Sequence, residues 1–166
     1  MKPALSVIFF TVSSGAGLGL LFWATLARLL RGPLAGFDAA MTLGLLLFTA
    51  GLLSSTRHLA NPRNAWRAFK RFDSSWLSRE AVFALAVYPV AAGFWWSAQH
   101  DKPGLAAGVG LMLIALVLVV LLCTGMIYAC LKTVPQWRNW QTAIGYPLFG
   151  LMSGALVWAA VQLAAA

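Results

Sequence analysis

Charged side chains are scarce in this sequence, and acidic side chains are the scarcest of all. Of the 166 residues, 12 are Lys or Arg and 4 are Asp or Glu, so that 10% are charged, against about 25% in soluble globular domains. The hydrophobic fraction is 61% and the mean hydropathy is +0.80. No core of a chain this short could hide so much apolar surface from water, which excludes a soluble domain. We predict that the chain resides in lipid, where helices satisfy their own backbone hydrogen bonds.

Metal-binding side chains are equally few. The two cysteines, Cys123 and Cys130, lie seven residues apart in one apolar stretch and form no CxxC pair. Neither an iron–sulfur cluster nor a zinc site is therefore expected in this chain, and we interpret both cysteines as small buried apolar residues. The two histidines, His58 and His100, lie outside the long apolar runs. This position excludes a haem held between two histidines of the membrane segment.

Long apolar runs dominate what is present. Runs of about 20 apolar residues predict transmembrane helices, so we predict an all-α, polytopic membrane helix bundle that forms one integral membrane domain over residues 1–166. Strands are not expected, because no segment alternates apolar and polar residues as an outer-membrane barrel does. The five predicted spans are Leu5–Leu30, Ala39–Ser55, Ala81–Ala98, Leu105–Leu131 and Ile144–Ala164.

Small residues recur at the spacing that lets helices approach closely. The three GxxxG patterns are Gly15/Gly19, Gly104/Gly108 and Gly150/Gly154. Because glycine has no side chain, such a pattern permits close contact between the backbones of neighbouring helices in lipid. The patterns predict a tightly packed bundle.

Polar residues are concentrated between the second and third spans, in an interfacial loop over residues 56–80. The stretch Ser55–Glu80 contains six of the 12 basic residues, two of the 4 acids and one histidine. If the spans alternate in direction, nine basic residues share the face of the N-terminus: these six with Lys2, Lys132 and Arg138. The other face carries Arg28, Arg31 and Lys102. The positive-inside rule then places the more basic face in the cytoplasm, and the net charge of +8 reflects loop arginines rather than a nucleic-acid-binding surface.

This basic segment is predicted to form a short amphipathic helix. Asn61 and Pro62 resemble an N-cap followed by proline at the first helical position. The apolar side would be formed by Trp66, Phe69 and Phe72, and the basic surface by Arg63, Arg67, Lys70 and Arg71. A helix of this kind lies in the membrane interface, where it could simply bind anionic headgroups. Residues 73–75 would end it and cap the next helix, which would begin at Trp76.

His58 and Glu80 are the candidates for chemistry. His58 follows the second span and Glu80 precedes the third, so both should lie at the same membrane face. An imidazole can hydrogen-bond to a quinone oxygen and change protonation near neutral pH, and a nearby carboxylate can accept the released proton. The pair could thus serve quinol oxidation or quinone reduction, but an interfacial histidine can equally be structural.

Two blocks of sequence point to a known family. The first block consists of three segments: Arg57–Pro62 (RHLANP), Ala65–Phe69 (AWRAF) and Ser75–Glu80 (SWLSRE). The second block is Tyr128–Thr142 (YACLKTVPQWRNWQT). Both blocks, and the opening SVIFFTVSSGAGLG, resemble the DmsC-type family, the membrane anchor subunits of dimethyl sulfoxide reductase-like molybdoenzymes. The resemblance covers essentially the whole chain.

The resemblance implies a non-catalytic subunit that exchanges electrons with quinone or quinol. In the family, the histidine of the H-L motif and the glutamate of the S-x-L-S-x-E motif are tied to quinol binding, and they map onto His58 and Glu80 here. We expect the adjacent Arg57 and Arg79 to belong to the same quinone site. Menaquinone and ubiquinone both remain open, and no haem or iron–sulfur cluster is expected in the chain itself.

The resemblance also implies two partners, an iron–sulfur ferredoxin-like subunit and a molybdopterin catalytic subunit. They are expected to dock through Arg63, Arg67, Lys70, Arg71, Trp137 and Arg138. Family members typically have eight spans and nearly twice this length, so the chain resembles their N-terminal portion or a naturally short form. A location in the bacterial cytoplasmic membrane is expected.

The terminal reaction and two alternatives stay open at this point. Anaerobic respiration with dimethyl sulfoxide-like acceptors is one possibility. A cytoplasmic His58 loop instead resembles the sulfite:quinone oxidoreductase (SoeC-like) branch, whose catalytic partners stay in the cytoplasm. The chain could also be a purely structural anchor without a quinone site, or a small transporter. The transporter is disfavoured because no predicted span carries an acid or base at mid-depth.

Overall fold

The structure, a computed structural model, describes residues 5–56 and 71–166. Over these two stretches all regular structure is helical. The long helices are α1 (Leu5–Arg31), α2 (Phe37–Thr56), α3 (Trp76–Gln99), α4 (Pro103–Ala129) and α5 (Trp140–Ala165), and a short 3-10 helix lies at Pro135–Trp137. The prediction of an all-α bundle of five membrane-spanning helices is confirmed.

The helices are long enough to cross a bilayer. The shortest, α2, has 20 residues and therefore extends about 30 Å at 1.5 Å per residue. This length matches the hydrocarbon core of a typical bilayer. The other four helices have 24 to 27 residues, so their ends reach into the headgroup region or the helices tilt.

Polar caps set the first turns of α3 and α5, which begin earlier than the apolar spans predicted from the sequence. The Ser75 side chain accepts a hydrogen bond from the Ser78 backbone N–H, and the Asn139 side chain accepts one from the Thr142 backbone N–H at 2.8 Å. Each bond satisfies a donor that the helix itself leaves free. The predicted cap before Trp76 is confirmed, and a scan for apolar residues alone misses these first turns.

Two helices form the centre of the bundle. α1 packs against α2, α4 and α5, while α4 packs against α1, α3 and α5. α1, α3 and α5 begin at one end of the bundle, where α2 and α4 end; we call this end the N-terminal face. The buried apolar core between the helices includes Leu18, Leu21, Met41, Phe48, Val87, Phe94, Leu113, Val117 and Leu121.

Glycines bring α1 and α5 into backbone contact. A methyl group added at Gly19 would overlap the Gly150 carbonyl oxygen, and one added at Gly154 would overlap the Gly19 backbone. The GxxxG pattern of α1 therefore packs against that of α5, as expected of small residues in membrane helices. The third pattern does not act in this way within the described residues, because nothing lies within 4 Å of a methyl group added at Gly104 or Gly108.

Polar side chains tie α2 to α3 at the opposite face. The Trp95 and Gln99 side chains both donate to Asp38 Oδ1 at 2.7 Å. Nearer the N-terminal face, the hydroxyls of Thr49 and Tyr88 lie 2.8 Å apart. These bonds hold two helices whose backbones make little contact.

The cysteine prediction is correct for one residue and wrong for the other. Cys123 is buried inside α4, whereas Cys130 is exposed. The physical reason is that α4 ends at Ala129 and Cys130 is its C-cap, so the thiol lies beyond the packed part of the helix and none of the described helices covers it.

The glycine contact predicts a difference between two Gly→Ala variants. Gly154→Ala should destabilise the folded protein by roughly 1–3 kcal/mol, the usual cost of overpacking, because the α1 backbone cannot make room. Gly108→Ala is the matched control and should be neutral or slightly stabilising, since alanine favours helix. Thermal unfolding of both variants in one detergent measures the difference; equal midpoints would contradict the packing described above.

Candidate functional site

Glu80 is an acid buried inside the membrane bundle. Its side chain is 5% exposed and accepts a hydrogen bond from the Thr124 hydroxyl of α4. Glu80 lies four residues into α3, which is about 6 Å from the start of the helix. An ionisable group at such a depth is expensive to bury and is a functional candidate by default.

The turn before α3 directs Glu80 into the bundle and its neighbour Arg79 away from it. The backbone N–H groups of Ser74 and Ser75 both donate to the Arg71 carbonyl, at 3.1 and 3.0 Å, closing the turn. Consecutive helical residues point about 100° apart, so burying Glu80 turns Arg79 outward.

Arg79 is held by this turn rather than by the acid next to it. Its guanidinium donates to the carbonyls of Phe72 and Asp73, at 3.0 and 2.7 Å. It also lies over the Trp76 ring, 4.5 Å from the centroid, where the cation and the ring attract each other.

The Thr124 hydroxyl has one proton and two acceptors. Besides Glu80, the Val120 carbonyl oxygen lies 3.1 Å from Thr124 Oγ1. When Glu80 is a carboxylate, Thr124 donates to it; when Glu80 is protonated, the acid can donate to Thr124, which then donates to Val120. Both protonation states of Glu80 therefore have a hydrogen-bond partner.

A second buried hydroxyl group continues the polar cluster toward α1. The Tyr146 hydroxyl of α5 donates to the Thr11 carbonyl at 3.1 Å and lies 3.2 Å from the Ser14 hydroxyl. α4 and α5 pack together at Gly125 against Ala143 and at Leu121 against Gly150, and Thr124 and Tyr146 lie between these two contacts along their helices. We call Glu80, Thr124, Tyr146 and Ser14 the polar cluster. It draws one side chain each from α3, α4, α5 and α1.

The cluster lies near one membrane face. Thr124 is five residues before the end of α4 and Tyr146 is six residues after the start of α5. At 1.5 Å per residue these positions are about 8 and 9 Å from the helix ends, close to the depth of Glu80. Glu80, Thr124 and Tyr146 therefore form a polar layer one to two turns below the N-terminal face, and Ser14, nine residues after the start of α1, is about two and a half turns from that start.

The structure places half of the predicted site residues. Glu80 and Arg79 are adjacent in α3, but their side chains point apart. The hydrogen bonds described for Arg79 go to the Phe72 and Asp73 carbonyls rather than to the Glu80 carboxyl. Arg71 is exposed in the turn before α3, and Arg138 is exposed just after the 3-10 helix. Trp137 is 42% exposed and packs edge-on against Tyr128 at 5.6 Å between ring centroids.

The other predicted residues cannot be placed. His58, Arg57, Arg63, Arg67 and Lys70 lie outside the described residues, as does most of the predicted amphipathic helix. Their proposed roles in the quinone site and in docking therefore stay predictions.

Sequence reasoning missed three members of the polar cluster. Thr124 could have been found, because it is the lone serine or threonine in the apolar α4 sequence and a polar residue there needs a partner. Tyr146 and Ser14 give no such signal, since tyrosine is common near interfaces and Ser14 sits among small residues that favour packing. Only the bundle brings them to Thr124.

The family model described as DMSO reductase anchor subunit (DmsC) matches residues 1–166. The chain belongs to this family. The membership agrees with the resemblance drawn from the two sequence blocks.

Two relatives of the DmsC family extend the comparison. The chain is 37% identical over 179 residues to a sulfite dehydrogenase subunit of Allochromatium vinosum, covering 96% of this chain and 55% of that protein. It is 32% identical over 123 residues to anaerobic dimethyl sulfoxide reductase chain YnfH of Escherichia coli, covering 72% and 43%. The chain thus spans about half the length of the curated relatives it matches. No solved structure matches the chain.

The buried bond between Thr124 and Glu80 predicts the effect of a matched pair of substitutions. Thr124→Val should destabilise the protein by about 1–3 kcal/mol, because the Glu80 carboxyl loses its partner in a buried site. Thr124→Ser keeps the hydroxyl and should therefore retain most of the stability that Thr124→Val loses. Thermal unfolding midpoints in one detergent measure both effects.

Thr42→Val is the control for this pair. Thr42 is exposed and its hydroxyl donates to the Asp38 carbonyl of its own helix at 2.8 Å, so the change should stay within about 0.5 kcal/mol. If Thr124→Val were as mild as Thr42→Val, the bond to Glu80 would contribute nothing.

Proposed function

We propose that this chain is the haem-free anchor subunit of a molybdopterin oxidoreductase complex, and that it binds quinone or quinol at the N-terminal face. One observation carries the proposal most directly: a carboxyl group is buried within a membrane-spanning helix and hydrogen-bonded to a hydroxyl of the next helix. Family membership supplies the context, because anchor subunits of this type belong to respiratory complexes.

Glu80 is suited to exchange protons with a bound quinone. Quinol oxidation releases protons and electrons in equal number, and quinone reduction takes them up. A carboxyl with a partner in each protonation state can take or give a proton without leaving a buried polar group unsatisfied. The bond to Thr124 provides this property.

His58, Arg57 and Arg79 complete the proposed site. His58 would hydrogen-bond to the quinone head group, and the Arg57 guanidinium would favour a negatively charged or polarised oxygen. Arg79 is tied to Phe72 and Asp73, so we assign it to shaping the turn beside the site. The electrons would pass directly to a cofactor of a partner, since no haem is expected here.

The proposed partners are an iron–sulfur ferredoxin-like subunit and a molybdopterin catalytic subunit. They would dock on the N-terminal face through its basic residues and through Trp137, whose exposed ring next to Tyr128 is typical of an interface anchor. Arg71 and Arg138 are both exposed on this face. The similarity to the sulfite dehydrogenase subunit of Allochromatium vinosum favours sulfite oxidation over reduction of dimethyl sulfoxide-like acceptors.

Two other functions are less well supported. A transporter needs charged groups along a path through the bilayer, but of the acids in the described residues only Glu80 is buried; Asp38, Asp73 and Asp101 are exposed. A purely structural anchor leaves the buried carboxyl without a purpose, since replacing a buried charge by apolar residues is often stabilising.

Replacing His58 or Glu80 separates a quinone site from a structural anchor. In membranes that contain the whole complex, His58→Arg and Glu80→Gln should each lower quinone-linked turnover at least tenfold while the subunits still co-purify. His100→Arg, at the exposed end of α3 on the opposite face, is the control and should leave turnover unchanged. Loss of co-purification with His58→Arg would instead favour the structural anchor.

The sidedness of the N-terminal face can be tested by thiol labelling. We propose that this face is cytoplasmic, because most of the basic residues lie there. After removal of Cys123 and Cys130, a single cysteine at Asn64 or Gln136 should resist an impermeant thiol reagent in intact cells and react after lysis. A cysteine at Ala35, between α1 and α2 on the opposite face, should react in intact cells. The reverse pattern would refute the cytoplasmic assignment and the preference for sulfite oxidation.

A further inference from the structure

A groove between α1 and α5 leads from the lipid-facing surface to the polar cluster. Its volume is about 320 Å³, at the lower end of the range of roughly 300–1,000 Å³ that is usual for ligand sites. It is lined by Thr11, Gly15, Tyr146 and Gly150 and, toward the outside of the bundle, by Phe149 and Met152. The walls are mostly apolar, and Phe149 and Met152 are exposed on the outer side of the bundle.

The floor of the groove carries the Tyr146 hydroxyl. Gly15 leaves room for about one methyl group beside that hydroxyl, because a methyl group added at Gly15 would make an ordinary contact of 3.5 Å with the hydroxyl oxygen. A molecule in the groove can therefore approach this oxygen at the position where any other residue would place a side chain.

The hydroxyls of Tyr146 and Thr124 each have one proton and two possible acceptors. Tyr146 has one proton for the Thr11 carbonyl and the Ser14 hydroxyl, and Thr124 has one for Glu80 and Val120. Each hydroxyl can therefore change its acceptor when a proton arrives or leaves. A proton relay between Glu80 and the groove requires this property, together with the packing of α4 on α5 at the level of Thr124 and Tyr146.

We propose that the groove between α1 and α5 receives the quinone head group from the lipid, and that the Tyr146 hydroxyl links its oxygen through Thr124 to Glu80. This inference rests on the proposed function and deepens it by naming the binding surface and a further binding residue. A lipid acyl chain could enter the same groove, but it would have no use for the hydroxyl at the floor, whereas a quinone oxygen accepts a hydrogen bond there.

The proton and electron balance is simple. For quinol oxidation, both O–H bonds of the quinol break and two electrons leave. One proton passes to the Tyr146 oxygen while the tyrosine proton moves to Thr124 and the Thr124 proton to Glu80, which ends protonated; the second proton is released to water at the N-terminal face. The electrons leave to the iron–sulfur partner named above. For quinone reduction, every step runs in reverse: Glu80 supplies one proton and water at the N-terminal face supplies the other.

Gly15→Ala tests the groove without disturbing the fold. The added methyl group makes ordinary contacts of 3.5 Å with the Gly150 Cα and the Tyr146 hydroxyl, so the protein should stay folded while the space beside the hydroxyl is filled. Binding of decylubiquinone and of a short-chain menaquinone to the protein in nanodiscs should weaken about tenfold, as expected for the loss of one ordinary hydrogen bond. Gly93→Ala is the control: Gly93 lies in α3 and the atom nearest to the added methyl group would be Val109 Cγ1 of α4, at 3.7 Å, so this variant should bind quinone as the unchanged protein does.

Tyr146→Phe tests the hydroxyl itself. It keeps the ring and removes the oxygen, so quinone affinity should again fall about tenfold, with an unfolding midpoint close to that of the control. Tyr88→Phe is the control, because it also loses a hydroxyl bonded to a neighbouring helix, at Thr49, but far from the groove. A photoreactive azidoquinone should label the peptide over residues 146–153, and decylubiquinone should compete with it.

The outcomes separate this inference from the proposed function. If Glu80→Gln weakens quinone binding while Gly15→Ala and Tyr146→Phe do not, the groove is wrong and the proposed function stands. If none of the proteins, the unchanged one included, binds either quinone, both fail. Labelling of residues 146–153 by a photoreactive phospholipid that decylubiquinone does not displace would identify the groove as a lipid site and overturn the inference.

Discussion

The close approach of α1 and α5 at their glycines fixes the positions of the polar side chains inside the bundle. Gly19 and Gly154 allow backbone contact, which brings Tyr146 within hydrogen-bond distance of Ser14 and the Thr11 carbonyl. In lipid this approach cannot come from the hydrophobic effect, because lipid tails are as apolar as the helices; it comes from packing and hydrogen bonds. Larger residues at the contact would separate the hydroxyls and open the cluster.

A similar contact positions α4. A methyl group added at Gly125 would press on the Ala143 carbonyl of α5, and Thr124, the residue before Gly125, donates to Glu80 of α3. The glycines of α1, α4 and α5 thus assemble hydroxyls from three helices next to the one buried acid of the described residues. The scarcity of charge in the sequence makes this acid stand out, because burial of an unpaired charge is costly and only an advantage in function would retain it.

The fold could be predicted from the sequence because its main determinant is local. Runs of apolar residues long enough to span a bilayer appear directly in the chain, and Ser75 marks the start of α3 by its own side chain. The ends of the spans were less predictable where polar caps extend a helix, and Cys130 was misjudged because burial depends on the end of α4. Of three GxxxG patterns, the sequence could not tell which ones face a partner.

The candidate site was predictable only in part. Glu80 was identified because an acid next to an apolar run is rare, and the family motif supported it. Thr124, Tyr146 and Ser14 come from three other helices, 44 to 66 residues from Glu80 along the chain, so that only tertiary packing brings them together. Arg79 is next to Glu80 in the sequence, but consecutive side chains of a helix point in different directions. Its guanidinium therefore binds the carbonyls of the turn before α3 instead.

The central claim is that Glu80 exchanges a proton with a bound quinone, and infrared difference spectroscopy tests it most directly. Spectra of the protein in nanodiscs with decylubiquinone, recorded before and after electrochemical reduction of the quinone, report changes in individual carboxyl groups. The account predicts a carboxyl C=O band that changes on reduction, disappears in Glu80→Gln and persists in Asp38→Asn, an exposed acid at the opposite face. A difference spectrum without a carboxyl band, or with a band that survives Glu80→Gln, would contradict it.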